Sequence, residues 1–102
     1  MVDKEYEELM KKVVAFGENE LKNINADVDE IIKSNYKEEG VISRLFDRLI
    51  NLEYVDNKTK TAIFYKLNRY TLTFNKELAI QYQVVFVEKN SKNVENTNNF
   101  SK

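Results

Sequence analysis

Apolar and polar positions along this chain follow two different periods, and the change from one to the other divides it. Tyr6, Leu9, Met10, Val13, Leu21 and Ile24 recur three and four residues apart, which predicts an amphipathic first helix over about Val2 to Asn23. On the opposite side Glu7 precedes Lys11, Glu8 precedes Lys12 and Glu18 precedes Lys22 by one turn. Each such pair supports a helix by roughly 0.2–0.5 kcal/mol. Gly17 interrupts the apolar face, where glycine costs about 1 kcal/mol against alanine. Its missing side chain fits either close internal packing, the commoner use, or contact with a second copy.

Asn25 or Asp27 is expected to cap a short second helix, with Glu30 completing a capping box and Val28, Ile31, Ile32 and Tyr36 as its stripe. Gly40 ends that pattern. A third helix over about Val41 to Leu52 carries Val41, Ile42, Leu45, Phe46, Leu49 and Ile50 around nearly half its circumference, which marks the most buried helix of the domain. Asp56 or Asn57 caps a fourth, running to about Asn68 with Ile63, Leu67 and Tyr70 inward.

Beyond it the period shortens to two. Tyr70, Leu72 and Phe74 alternate with Thr71, Thr73 and Asn75, and Leu78, Ile80, Tyr82, Val84 and Phe86 alternate again. A hairpin turning through Asn75-Lys76-Glu77 sets Phe74 opposite Leu78, Leu72 opposite Ile80 and Tyr70 opposite Tyr82, with every apolar side chain on one face. A helix continuing from 57 to 87 is the rival, since Ile63, Leu67, Tyr70, Phe74, Leu78 and Val85 also keep helical spacing. The density of Thr and Val favours strands. The expected fold is therefore α+β and mainly α, four helices followed by a C-terminal β-hairpin, with an all-α bundle as the alternative. Residues 1–88 form the expected single domain, and 89–102, asparagine-rich and nearly without apolar residues, a disordered polar tail.

Composition narrows the chemistry. The chain has no histidine, cysteine, tryptophan or proline. Without histidine and cysteine, nucleophilic triads, zinc sites, haem sites and redox pairs are nearly all closed off. The acidic clusters Glu7-Glu8, Asp27/Asp29/Glu30 and Glu38-Glu39 fall on polar faces and in caps, and Asp27-Val28-Asp29-Glu30 lacks a calcium-loop pattern. With Gly17 and Gly40 as the only glycines, there is no phosphate-binding loop. The expectation is a protein that is not an enzyme and takes no metal or cofactor. An apolar run such as Val84–Val87 is far too short to span a bilayer, and the polar N-terminus does not read as a signal peptide, so a cytoplasmic location is expected.

Net charge is −1, but unevenly placed. Residues 1–32 hold nine acids and four bases, for −5; residues 33–102 hold twelve bases and eight acids, for +4. From Asn57 to Lys76 there are five bases and no acid. Such a stretch suits a polyanion, or equally a solvated face beside an acidic neighbour. On a helix it turns Lys58, Thr61, Tyr65, Asn68 and Arg69 outward with Lys60 and Lys66 on the flanks. Arg and Asn suit base edges and Lys suits phosphates.

The order of buried helix, short break, basic helix and two-stranded ribbon resembles the winged helix-turn-helix pattern, departing from it at Glu53-Tyr54, where that family often has a turn glycine. The resemblance implies a DNA-binding regulator of phage or mobile-element type. Lys58, Lys60, Thr61, Tyr65, Lys66, Asn68 and Arg69 then read double-stranded DNA, Lys76 is the wing contact, and the acidic first helix is a homodimerisation arm. The alternative is a protein-binding inhibitor that occludes its partner. In size and composition the chain is similar to small bacteriocin immunity proteins and phage anti-defence proteins, with no shared motif.

Overall fold

The computed structural model describes residues 3–101, with side chains to Asn90. Among the described residues every regular element is a helix: α1 (Lys4–Lys33), α2 (Glu39–Asn51), α3 (Asn57–Leu72) and α4 (Lys76–Ser101). The fold is all-α, as in the alternative, and the β-hairpin is absent. The chain divides into two compact units, residues 1–67 and 68–102.

In the first unit α1 begins at Asp3, whose carboxylate accepts the backbone N–H of Glu5, and then runs unbroken for 30 residues. The expected break near Asn25 and Asp27 does not occur. Both side chains have tertiary partners instead: Asn25 Oδ1 accepts from Lys66 Nζ at 2.6 Å, and Asp27 Oδ2 accepts from Arg48 Nη1 at 3.0 Å. A cap that is already bonded sideways has no reason to stop a helix. Tyr36, expected on a second stripe, lies beyond the end of α1 and is exposed.

The core of this unit joins Leu21, Ile24, Val28 and Ile31 of α1 to Ile42, Leu45, Phe46, Leu49 and Ile50 of α2 and Ile63, Phe64 and Leu67 of α3. Phe46 and Phe64 pack with ring centroids 5.5 Å apart. Gly17 is used for internal packing. A Cβ built there lies 2.9 Å from Val55 Cγ1, 3.2 Å from the Glu53 carbonyl oxygen and 3.4 Å from that of Tyr54. The α2–α3 connection is thus laid directly on the helix, and Tyr54 takes a left-handed backbone (φ 61°) within it. Asp56 then caps α3 as expected, accepting the Thr59 backbone N–H at 3.0 Å and its hydroxyl at 2.6 Å.

In the second unit the chain leaves α3 through Thr73 and Phe74, whose N–H groups bond back to Tyr70 and Thr71. Asn75, expected in a hairpin turn, is a helix cap: its Oδ1 accepts the Leu78 N–H at 3.1 Å. The alternation over 70–86 misled because its apolar residues do not share one face: Leu78 and Phe86 are buried, and so is Thr71, which lies between Tyr70 and Leu72. Thr71 is fully buried and Asn68 nearly so, with Asn68 Nδ2 donating to the Ala79 carbonyl at 2.8 Å, while Leu72, Ile80 and Val84 are exposed. Once Thr71 and Asn68 have partners inside, nothing holds a two-residue period, and the helical reading of the same residues prevails. The polar tail expected over 89–102 lies largely outside the described side chains.

Candidate interaction surfaces

The acid-free stretch is divided in its use. Asp56, at its head, has its carboxyl held below the usual range by the Thr59 hydroxyl first and the Thr59 backbone N–H second. Lys58 is exposed. Lys60, only 8 % exposed, lies on the inner face with Ile63, Phe64 and Leu67; its ammonium donates to the carbonyls of Ile50 at 3.1 Å and Leu52 at 2.6 Å, at the open end of α2. Those carbonyls are among the ones a helix C-terminus leaves unmatched, and a cation there meets the negative end of the helix dipole. Thr61 and Tyr65 are half-buried, Tyr65 edge-on to Phe64 at 5.3 Å. Lys66 bridges Asn25 and Asp29 of α1, each at 2.6 Å.

In the second unit Asn68 is buried on Ala79, whereas Arg69 and Lys76 are exposed. Lys60, Lys66 and Asn68 are therefore tied to protein groups rather than presented outward, and Lys76 opens a helix rather than tipping a wing. Arg48, on α2, is likewise engaged, with Glu20 at 2.7 Å and Asp27 at 3.0 Å, and the bonds to Glu20 and then Asp27 raise its pKa.

Two groups stand out among the exposed apolar residues, one on α4 and one on α1, the helix expected to serve as a homodimerisation arm. On α4, Leu78, Ala79 and Phe86 are buried, while Ile80, Val84 and Val87 face away from them and are 46 %, 51 % and 46 % exposed. Spaced four and three apart, these three make one ridge on the outer side of the helix. Glu77, Gln81 and Glu88 run along one edge of it, Gln83 and Lys76 along the other. A helix with apolar residues on both sides is ordinarily covered on both. On α1, the residues before Gly17 form the second group, with Tyr6, Leu9, Val14 and Phe16 exposed.

No group of three or more acidic side chains suited to a metal is found among the described residues, and no described helix is long and apolar enough to cross a membrane. Comparison with protein-family models, with curated proteins and with solved structures finds no match.

Proposed function

We propose that this chain is a non-enzymatic protein-binding module that acts by occluding a partner, with the outer ridge of α4 as its contact. The ridge of Ile80, Val84 and Val87 carries the reading. Three β-branched side chains at helical spacing on the solvent side add nothing to the unit's own core, and they match the anchors by which an amphipathic helix enters an apolar groove. Glutamine and glutamate along its edges supply a polar rim of the kind interfaces have. The partner is a protein with an apolar groove about three turns long and basic or neutral at one edge, to meet Glu77 and Glu88.

The test is affinity capture from the source organism with the wild-type chain and with Val84→Lys, helicity being checked by circular dichroism. A stoichiometric partner held by the wild type and lost on substitution is the expected result. A partner that binds both equally rules out the ridge.

In the second unit the exposed Arg69 and Lys76, with no acid between them in sequence, support a second reading, DNA binding through phosphate contacts without a wing. Fluorescence anisotropy with mixed-sequence duplex at two salt concentrations tests it. Binding that falls steeply with salt supports it, with a log–log slope of roughly −0.9 per phosphate contact, and no binding at low salt removes it.

A further inference from the structure

α1 outruns the packing that supports it. From Gly17 to Ile31 its inner face is covered, with Gly17, Leu21, Ile24, Val28 and Ile31 buried. From Asp3 to Phe16 the same face continues through Tyr6, Met10, Val13 and Val14, with Leu9 and Phe16 along one edge, and none of the six is buried. At 1.5 Å per residue this unburied stretch is about 20 Å long. A shallow groove of about 660 Å³, lined by Tyr6, Met10 and Val14 among others, runs down one side of it. Tyr54, exposed and left-handed, stands at its root against Gly17.

The charges beside this face have an order. Glu5 and Lys12 lie along one edge, Glu7 and Lys11 along the other, so on both edges the acid comes first. The geometry points to a homodimer in which the first turns of α1 pair antiparallel with those of a second copy, about a two-fold axis through Leu9. Reversal of one helix against the other brings Glu5 beside Lys12 of the second copy on one edge and Glu7 beside Lys11 on the other. Tyr6 packs over Met10 and Val13 of the second copy, and Leu9 meets its own counterpart. Lys4 of one copy falls level with Val14 of the other, so the overlap ends just before Gly17, where internal packing starts, and the two packed halves sit at opposite ends.

Four acids against three bases over residues 3–16 suit this occupant better than an anionic lipid surface, which calls for a basic polar face. The six apolar side chains expose on the order of 500 Å² per copy, below the roughly 800 Å² per partner of a standard interface. The dimer is accordingly weak and exchanges with monomer at micromolar concentrations. The inference is independent of the α4 ridge.

Sedimentation velocity on the full chain from about 1 to 500 μM, a range that brackets a micromolar equilibrium, is expected to show a monomer–dimer transition. Leu9→Glu, which sets two carboxylates on the axis, is expected to weaken it at least ~10-fold, as like charges brought together at an interface do. The charge reversals E5K/E7K and K11E/K12E each abolish self-association, while an equimolar mixture of the two restores a heterodimer. The chain has no cysteine of its own, so introduced ones report orientation. Leu9→Cys crosslinks to itself, whereas Phe16→Cys, whose copies stand about 20 Å apart along the axis, does not. A chain that stays monomeric throughout, a dimer indifferent to Leu9→Glu and to the reversals, or equal crosslinking at both positions overturns the pairing.

Discussion

Replacing Gly17 by alanine sets two effects of known sign against each other. Inside a helix, alanine is favoured over glycine by about 1 kcal/mol. Against that, the new methyl would stand 2.9 Å from Val55 Cγ1 and 3.2 Å from the Glu53 carbonyl oxygen. Neither neighbour gives way easily. Valine is stiff at its one side-chain torsion, and the carbonyl belongs to a connection already holding Tyr54 in a left-handed conformation. Overpacking of this kind costs typically about 1–3 kcal/mol. We expect the steric term to win and Gly17→Ala to destabilise the chain by about 1 kcal/mol net.

Gly40 is the control, because a Cβ there meets only the flexible end of Glu38 at 2.9 Å and Arg44 at 4.0 Å. Gly40→Ala should therefore stabilise, by about 0.4–1 kcal/mol. Urea denaturation followed by helical circular dichroism reads both, as midpoint shifts of opposite sign at unchanged slope. Adding Val55→Ala to Gly17→Ala should recover part of the loss by removing the nearer clash. A Gly17→Ala protein as stable as Gly40→Ala would refute the reasoning, since the connection would then not be seated on α1.

Lys60→Met should destabilise by roughly 2–3 kcal/mol, because it keeps the length of the side chain but leaves the Ile50 and Leu52 carbonyls without this donor; equilibrium unfolding measures it. Arg48→Lys should cost only about 0.5 kcal/mol, since the pair of bonds to Glu20 and Asp27 is partly exposed and screened, and a double-mutant cycle with Glu20→Gln isolates it. Asp56 has a folded pKa below its unfolded value, so its contribution is complete above the ordinary aspartate range and is lost as pH falls through the lower folded value. Melting temperatures of the wild type and Asp56→Asn should accordingly differ at about pH 6 and converge as the pH falls through the carboxyl's lowered folded value.

Much of the helical layout is legible in the sequence where local signals and tertiary contacts agree. The wide stripe of α2 and the Asp56 cap of α3 are of that kind. The expected break in α1 is not found because Asn25 and Asp27, good caps in isolation, are engaged by Lys66 and Arg48 from distant parts of the chain. The hairpin was written in β-branched residues whose role differs from the usual one: Thr71 is inside and bonded, and Ile80 and Val84 are outside.

In the basic stretch, charge alone puts Lys60 on the flank, although Lys60 shares helical spacing with Ile63, Phe64 and Leu67. That spacing was the available sign that its stem is covered. The α4 ridge was visible only as apolar residues, because a single-stripe expectation assigns all of them to one face. A second stripe opposite the first is seen once the helix is known to be continuous.

The partial support of α1 also sets how its backbone breathes. A helix of thirteen or so residues with no tertiary cover is marginal in water. The turns before Gly17 are therefore anchored chiefly by continuity with the covered half and by the Asp3 cap. Amide hydrogens from about Glu7 to Phe16 should exchange through fraying from the N-terminal end, with opening free energies far below those of Ile24 or Val28. Protection along this one helix thus rises steeply near Gly17. Any occupant of the first turns should lift the early amides toward the later ones without moving the rest.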